Sequence, residues 1–375
     1  MPRRGENIHK RKEGRWEGRY IDFYRSDGKA HYKSVYAPSY SEVKAKMNKL
    51  KAIPKVQRQL TSLVTTEQLF FMWLDDKRIQ VKESTYANYH QVIHGHLVPY
   101  FQGKKSSQLT TEAVNQFVKD KLQNGRLDGT GGLSPKRVND ILSILLQVIQ
   151  YGEKKGAIAG FDYDVIRPKA EATELAVLTH DEQEKLLDHV KATLDHKKLG
   201  VLIAFYAGTR LGELCALQWG DIDFGTGILH ITKTLQRIKD TDPNSTAKTK
   251  MVIATPKSRQ SVRDIPLSAS LLCLLKQWKQ GQPNTNYVLS GKAKYIDPRV
   301  MQDKFKEYLK QAQVEPTKFH ALRHTFATRA KEQQFDDKNL SELLGHSNVR
   351  FTLERYVHSS MDTKRASMER YAACY

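Results

Sequence analysis

Cysteine is scarce in this chain, whose 375 residues include only Cys215, Cys273 and Cys374. Three cysteines at these positions make neither a disulfide framework nor a metal-binding cluster, so we expect a reduced, cytosolic protein. No apolar run approaches the roughly 20 residues of a membrane span, and the first residues lack the pattern of a signal peptide. These shortages argue against the disulfide-rich secreted class and predict a chain that does not enter a membrane.

Acidic residues are also in short supply, because 41 Asp and Glu face 61 Lys and Arg. The formal net charge is +20 and the isoelectric point is about 9.6. Half of this excess lies in the first 60 residues, which contain sixteen basic and six acidic residues. Such a charge favours an anionic polymer as partner, either a nucleic acid or an acidic membrane surface.

Residues 1–55 predict a small α+β domain. Alternating apolar and polar residues over 8–11, 15–24 and 30–36 are typical of three short strands, and residues 41–50 are typical of a helix. Aromatic residues lie among basic ones on these strands, which suits insertion into a DNA groove or contact with the DNA backbone. The alternative is an ordinary aromatic core under a solvated basic surface. The aromatic residues concerned are Trp16, Tyr20, Phe23 and Tyr32.

Residues 63–158 predict an all-α domain of four helices between linkers at 52–62 and 156–174. Leu69, Met72 and Trp73 are expected on one face of the first helix, and the second helix is expected to end near Gly95 and Pro99. In the fourth helix a Ser-Pro pair suits the N-cap and first turn, and apolar residues follow at helical spacing. Those residues are Ser134, Pro135, Val138, Ile141, Leu142, Leu145 and Ile149.

The remaining residues, 175–375, mix helical and strand patterns. A capping box at Thr179 to Glu182 predicts the start of a helix. Residues 222–235 and 251–267 alternate as strands do, with a charged tip at 239–250 between them. Helical patterns then follow to about residue 353.

The most informative stretch begins at His320. Arg323 is three residues further on, so on a helix the two side chains lie on one face, where an imidazole and a guanidinium can grip a phosphate. His346 follows Gly345, which indicates a sharp turn of the backbone. Tyr356 comes ten residues later, close enough in sequence to return to the same pocket.

A tyrosine hydroxyl has a pKa of about 10, so it is a poor nucleophile unless its proton is removed and its target is polarised. Arginine, lysine and histidine donors polarise a phosphodiester in this way. No pair of carboxylates suited to a divalent metal lies in this stretch. We therefore infer metal-free phosphoryl transfer through a phosphotyrosine.

Two alternatives for these side chains are weaker. Tyr371 and Tyr375 are rival nucleophiles, but no Gly-His-Ser sequence precedes them. Zinc binding by His320, His324 and His346 is disfavoured, because no cysteine or carboxylate lies at ligand spacing, and we expect His324 in the core.

The C-terminal sequences resemble the signature of the tyrosine recombinases, the phage integrase family. They are His320-x-x-Arg323, Leu344-Gly345-His346-Ser347 and Tyr356-x-His358. The segment around Arg210 resembles the one that carries the family's first arginine, and the segment of Lys257, with the later Arg-x-Ile-Pro-Leu, resembles its β-hairpin lysine. Separate motifs that occur together in the right order are far more specific than any one of them alone. The close resemblance covers about residues 175–360, and the N-terminal half matches only in layout.

The resemblance implies a multidomain fold. It consists of a small α+β N-terminal domain at 1–55, with three strands and one helix, an all-α core-binding domain at 63–158, and a mainly α catalytic domain with a small β-sheet and a C-terminal tail at 175–375. The first domain resembles the arm-binding domain of integrases from phages and conjugative transposons.

The implied activity is that of a site-specific DNA recombinase that integrates and excises a mobile element through a 3′-phosphotyrosyl intermediate, without a cofactor or metal. The implied catalytic residues are Arg210, Lys257, His320, Arg323, His346 and Tyr356. Glu213 is expected to orient Arg210. The competitors of Lys257 are Lys233, Lys248, Lys250 and Arg259.

The implied partners are core and arm sites on double-stranded DNA, three further copies of the chain in a homotetramer, and excisionase and DNA-bending accessory proteins. The implied location is the bacterial cytoplasm, at the nucleoid. Two other classes stay open. A type IB topoisomerase uses the same chemistry to relax one duplex, and a non-catalytic DNA-binding protein shares only the charge.

Overall fold

The computed structural model describes residues 7–11, 14–24, 30–51, 64–171, 176–256 and 259–346, and four single positions beyond them. The chain divides into two compact units, Met1–Ala172 and Thr173–Tyr375. The division falls inside the second linker expected from the sequence, while the bounds of the three domains stay a prediction.

The first unit begins with an antiparallel sheet whose strand order is β1-β2-β3. The strands are β1 (Ile8–Lys10), β2 (Trp16–Tyr24) and β3 (Ala30–Ala37), and helix α1 (Tyr40–Lys51) follows. The predicted three strands and one helix are confirmed, with ends that differ by about one residue.

One face of this sheet packs against α1. Trp16 and Tyr20 lie in this small core with Val43 and Met47 of the helix. A Cβ atom at Gly18 would lie 2.3 Å from the Met47 sulfur and 2.4 Å from a Val43 methyl, so only glycine lets the helix approach this closely. Two of the predicted aromatic residues thus belong to the core, whereas Tyr32 is half exposed.

Residues 64–171 form the predicted helical bundle around their own apolar core. Its α-helices are α2 (Thr66–Arg78), α3 (Glu83–Val92), α4 (Val98–Phe101), α5 (Thr111–Asn124) and α6 (Pro135–Lys154). Ser134 caps α6 by accepting a hydrogen bond from the Arg137 amide, as the Ser-Pro pair predicted.

Two predictions for the bundle need correction. The second helix passes Gly95, because α3 continues through a wide π turn (Ile93–Leu97) into α4, and it ends at Phe101, two residues beyond Pro99. The wide turn accommodates Pro99, whose ring prevents a regular α pattern. Met72 is exposed, because Leu69 and Trp73 form the buried stripe of α2 and Met72 lies at its edge.

The second unit contains seven α-helices and five strands among its described residues. Its helices are α7 (His180–Ala192), α8 (His196–Ala207), α9 (Leu211–Ala216), α10 (Ala269–Lys279), α11 (Pro298–Gln311), α12 (His320–Glu332) and α13 (Asp337–Leu344). Its strands are β4 (Ile222–Asp223), β5 (Ile228–Ile231), β6 (Thr234–Lys239), β7 (Thr249–Ala254) and β8 (Arg263–Pro266).

The strands form a three-stranded sheet in the order β4-β5-β8 and a separate β6-β7 hairpin. The two predicted strand regions are therefore confirmed, but each is divided by turns. Helix α8 is almost entirely buried in the core of this unit and ends at Gly208, whose φ of 61° lies in the left-handed region. Thr179 and Glu182 form the predicted capping box at the start of α7.

None of the helices among the described residues is long and apolar enough to cross a membrane.

Candidate active site

Arg210 is the N-cap residue of α9. Its backbone N–H donates to Glu213 Oε2 at 2.9 Å, and its Nη1 donates to Glu213 Oε1 at 2.7 Å. One third of the Arg210 side chain is exposed, whereas Glu213 is buried. Glu213 therefore holds the Arg210 guanidinium at the surface of the unit, in the orienting role predicted for it.

Glu213 is also held from the other side by Arg263, which begins β8. Arg263 donates from Nη1 to Oε1 at 3.0 Å and from Nη2 to Oε2 at 2.9 Å, so the pair is bidentate. Burial raises the pKa of the Glu213 carboxyl, but the bonds and charge of Arg263 and the charge of Arg210 outweigh it and lower the pKa from 4.5 to about 2. Glu213 is therefore ionised at neutral pH and is a poor acid–base catalyst.

Arg323 lies in the first turn of α12 and is 2 % exposed. Its Nη1 donates to the Gly208 carbonyl at 2.8 Å, and its Nη2 donates to the Leu344 carbonyl. These carbonyls stand at the C-terminal ends of α8 and α13, where helix dipoles place negative partial charge. Two helix ends thus fix one buried cation.

Helix α13 ends in a Schellman motif. Gly345, with a φ of 61°, donates to the Glu342 carbonyl at 2.9 Å, and His346 donates its amide to the Ser341 carbonyl at 3.0 Å. The sharp turn that the Gly-His pair predicts is confirmed, and it leads directly to the His346 side chain.

The next three carbonyls at this helix end, those of Leu343, Leu344 and Gly345, each accept a hydrogen bond from a different arginine. The pairs are Arg263 Nε to Leu343 (2.6 Å), Arg323 Nη2 to Leu344, and Arg210 Nη2 to Gly345 (3.1 Å). We call these six residues the arginine-capped turn. It joins segments that are far apart in the chain. His346 directly follows Gly345, which accepts from Arg210, and lies two residues after Leu344, which accepts from Arg323.

His320 is the first residue of α12 and is exposed. Its ring packs edge-on against that of His324, with 4.6 Å between the ring centroids. His324 is buried, as the sequence predicts. Arg323 lies between them on the helix and points to the α13 end instead. The structure therefore places His320, Arg323, Arg210 and His346 on elements that meet at the arginine-capped turn.

Two of the predicted catalytic residues, Lys257 and Tyr356, lie outside the described residues. Two rivals of Lys257 have ion-pair partners. Lys233 lies 2.9 Å from Asp221, and Lys250 lies 3.5 Å from Asp240. Lys248 is exposed at the tip between β6 and β7.

Arg263 also belongs to the site, and it was not predicted from the sequence. Its burial could have been predicted, because Arg263 and Ile265 are two residues apart in a strand and therefore share the buried face. A charged residue on a buried face needs a buried partner, which predicts a carboxylate near it.

No group of three or more His, Cys, Asp or Glu side chains that could hold a metal ion is found in the described part of the chain.

A second candidate site lies on the N-terminal sheet, on the face opposite α1. Glu17 is fully buried there and accepts hydrogen bonds from Arg11 Nε, Arg19 Nε (3.3 Å) and Ser34 Oγ (2.6 Å). The bonds from Arg11 and Ser34 lower the pKa of the Glu17 carboxyl to about 2. Because half of each arginine side chain is exposed, the face presents two oriented guanidinium groups. Tyr36 is half exposed beside them.

Sequence models of two known protein families match parts of the chain. A sequence model described as the phage integrase family matches residues 176–363, and one described as the N-terminal SAM-like domain of phage integrases matches residues 65–122. The first match alone covers half of the chain.

Two relatives match over much of their length. The chain is 27 % identical over 372 residues to a XerC-like tyrosine recombinase of Caldanaerobacter subterraneus, with 92 % of each chain covered. It is 25 % identical over 307 residues to the ICEBs1 integrase of Bacillus subtilis, with 79 % of each covered.

Solved structures share the fold. An integrase of transposon Tn1549 in complex with circular intermediate DNA matches with a TM-score of 0.64 and 21 % identity, over 82 % of this chain and 99 % of that one. A lambda integrase dimer bound to a core site matches with a TM-score of 0.59 and 17 % identity, over 95 % and 97 %. The multidomain recombinase fold predicted from the sequence is confirmed. The chain belongs to the phage integrase family and is a site-specific recombinase of the tyrosine type.

Proposed function

We propose that this recombinase integrates and excises a mobile element by cutting double-stranded DNA with Tyr356, while Arg210, Arg323 and His346 bind the phosphate under attack. The arginine-capped turn is the observation that carries the proposal. It brings two arginines and a histidine from three separate elements to one turn, as the binding of a single phosphate requires.

The expected reaction is an exchange of phosphate esters. The Tyr356 oxygen bonds to phosphorus, the bond from phosphorus to the 5′-oxygen breaks, and the products are a 3′-phosphotyrosyl enzyme and a 5′-hydroxyl end. The 5′-hydroxyl of a partner strand then attacks the phosphotyrosine and restores the tyrosine. Because one ester replaces another, the bond energy is retained and the exchange needs no ATP.

Two proton transfers accompany cleavage. His320 is the candidate to accept the phenolic proton, since it is exposed at the start of α12 three residues before Arg323. Lys257 is the candidate to protonate the leaving 5′-oxygen. Lys233 and Lys250 suit this role less, because carboxylates hold them in ion pairs.

Arg210 is the more accessible of the two phosphate-binding arginines. A guanidinium has five N–H donors, so the bonds to Glu213 and to the Gly345 carbonyl leave Arg210 with donors for a phosphate. Arg323 is buried, and its charge at the ends of α8 and α13 supports the same phosphate from within.

The proposed DNA contacts are of two kinds. The helical domain and the catalytic domain bind core sites, and the N-terminal sheet binds arm sites with Arg11 and Arg19, so that one protomer holds two DNA segments and gains avidity. The active assembly is proposed to be a homotetramer, assisted by an excisionase and DNA-bending proteins, in the bacterial cytoplasm at the nucleoid. The lambda integrase tetramer bound to a Holliday junction supports this assembly.

The test is to trap the covalent adduct. The probe is a nicked duplex from the DNA that flanks the gene, designed so that the cleaved 5′ end is lost and cleavage is not reversed. We expect mass spectrometry to find DNA on the peptide that contains Tyr356. Tyr356→Phe should form no adduct while its DNA affinity stays within about threefold, because binding comes mostly from other phosphate contacts. Tyr371→Phe is the matched control and should form the adduct normally.

An adduct on Tyr371 or Tyr375 would overturn the assignment of Tyr356, and the absence of any adduct from the wild-type chain would overturn the proposed cleavage. Relaxation of supercoiled plasmids that lack the flanking sequence, without strand exchange between sites, would favour the topoisomerase alternative.

A further inference from the structure

The side chain of Arg263 connects three segments of the second unit. Its Nη1 and Nη2 hold both carboxylate oxygens of Glu213, its Nε donates to the Leu343 carbonyl at 2.6 Å, and its Nη1 also donates to the Ser261 carbonyl at 3.2 Å. Four of the five N–H donors of a guanidinium are used in this way. The side chain is 5 % exposed, so water does not replace these bonds.

The two ends of this connection lead to proposed phosphate ligands. Glu213 holds the Arg210 guanidinium at 2.7 Å, and Leu343 lies two residues before the Gly345 turn that carries His346. A displacement of Arg263 therefore moves Arg210 relative to His346. The Gly345 turn also touches the Arg263 segment directly, since a Cβ at Gly345 would lie 3.0 Å from Arg263 Cδ and 3.1 Å from the Gln260 carbonyl oxygen.

We propose that Arg263 is a positioning residue for strand transfer, which fixes the distance between Arg210 and His346 through Glu213 and the Leu343 carbonyl. The inference rests on the proposed function of Arg210 and His346. Arg263 is itself buried and donates to protein acceptors, so the role that we assign to it is indirect.

Lysine is not expected to replace it. A lysine has three donors on one nitrogen, whereas the contacts of Arg263 diverge from three nitrogens of a planar group to a carboxylate on one side and a backbone carbonyl on the other. Arg263→Lys keeps the charge beside Glu213 and loses the spacing between Glu213 and Leu343. A displacement of about 1 Å at a reacting group can lower a rate by about 10²-fold.

The experiment compares Arg263→Lys with Arg329→Lys. Arg329 is a partly buried arginine of the same unit that donates to the Leu178 carbonyl at 2.8 Å and to Glu332 at 2.7 Å, away from the arginine-capped turn. Both variants lose a bridge between a carboxylate and a carbonyl. Three quantities are measured: the Tm, the affinity for the flanking duplex, and the single-turnover rate of adduct formation on its nicked form.

We expect both variants to lose some thermal stability and to keep DNA affinity within about threefold. Only Arg263→Lys should form the adduct about 10²-fold more slowly. A rate within about threefold of wild type, or an equal fall in both variants, would overturn the inference, because loss of stability alone would then explain the data.

A measurement without DNA separates this inference from the proposed function. Imidazole NMR signals of chain labelled with ¹⁵N-histidine report the surroundings of His346, which is assigned by its loss in His346→Asn. We expect Arg263→Lys to shift the His346 signal and Arg329→Lys to leave it in place. An unmoved signal in Arg263→Lys would reject the positioning role even if cleavage were slow. If the wild-type chain forms no adduct while the signal shifts, the proposed function fails and the structural part of the inference stands.

Discussion

Arg210 and Arg323 donate to adjacent backbone carbonyls, those of Gly345 and Leu344. The C-terminal end of α13 carries negative partial charge, which stabilises both cations at these neighbouring carbonyls. In the proposed reaction, the phosphate under attack would add its negative charge beside the same two arginines. His346 follows at the next position of the same turn.

Gly345 is the position at which this arrangement is most easily tested. A Cβ at this residue would lie within 3.2 Å of Arg263 Cδ, the Gln260 carbonyl oxygen and the Ser261 Cα. We expect Gly345→Ala to displace the turn and to slow single-turnover adduct formation by at least about tenfold. The control is Gly281→Ala, which has a similar φ of 71° but no atom within 4 Å of the added methyl group.

Both substitutions place alanine in the left-handed region, which should lower the stability of each variant by roughly 1–2 kcal/mol. The close contacts at Gly345 should lower the Tm of Gly345→Ala further. Only Gly345→Ala should slow cleavage. An equally slow Gly281→Ala would mean that backbone strain, rather than the contact with the Arg263 segment, limits the rate.

Lys257 is expected to act as the general acid. Cleavage expels a 5′-alkoxide, and a positioned acid contributes about 10²–10⁴-fold to such a step. Arginine is a poor donor because its pKa exceeds about 12. Lys257→Ala should therefore slow cleavage of normal DNA strongly, yet cut a substrate with sulfur at the bridging 5′ position at close to the wild-type rate, since a thiolate leaves without protonation.

If Lys257→Ala is equally slow on both substrates, the role of Lys257 is instead to hold the non-bridging oxygens. In that case the acid must be sought among Lys233, Lys248, Lys250 and His346. Lys233→Ala provides the matched control, since its ammonium is paired with Asp221, and it should cut both substrates normally.

The Glu213 carboxylate predicts a particular response to acid. Its pKa in the folded protein is about 2 instead of 4.5, so its stabilising effect is complete above pH 4.5 and is lost as the pH falls toward 2. The difference amounts to roughly 3 kcal/mol of unfolding free energy. Glu213→Gln lacks this pH-dependent stabilisation. The difference in Tm between wild type and variant should therefore become smaller as the pH falls from 6 to 3.

The matched variant for this test is Glu307→Gln. Glu307 pairs with Lys304 in an exposed i,i+3 bridge, and such bridges contribute little. Its Tm should differ from that of wild type only slightly at either pH. A difference for Glu213→Gln that stays constant with pH would show that the folded protein does not depress the pKa of this carboxyl.

The N-terminal sheet is expected to bind arm-type DNA through the Arg11 and Arg19 face. The variant Arg11→Ala/Arg19→Ala should lower affinity for long flanking DNA and should leave adduct formation on a short core duplex unchanged, because the proposed catalytic residues lie beyond residue 200. The charge-matched control is Lys44→Ala/Lys46→Ala, which removes two charges from α1.

Each double variant removes two positive charges, so a purely electrostatic effect would weaken binding equally and reduce the salt dependence by the same amount. A much larger loss for the arginine pair, measured by titration at two salt concentrations, supports the sheet face. Equal losses would assign the interaction to net charge alone.

The sequence by itself determined the local features of this protein. The alternation of residues predicted β1, β2 and β3, the Ser-Pro pair predicted the start of α6, and the Gly-His pair predicted the turn after α13. The spacing of Arg210 and Glu213 likewise indicated their pairing. These features depend on residues within one turn or one strand of each other, where propensity and capping decide the backbone.

Only the tertiary structure decided how the distant segments meet. Arg263 is far from Glu213 and Leu343 in the chain, and no periodic pattern specifies which carbonyl a buried guanidinium reaches. The packing of α12, α13 and β8 settles that choice, since a buried carbonyl at a helix end needs a donor once water is excluded. The π turn before Pro99 was likewise beyond prediction, because the packing of the bundle lets the helix continue where its sequence favours an end.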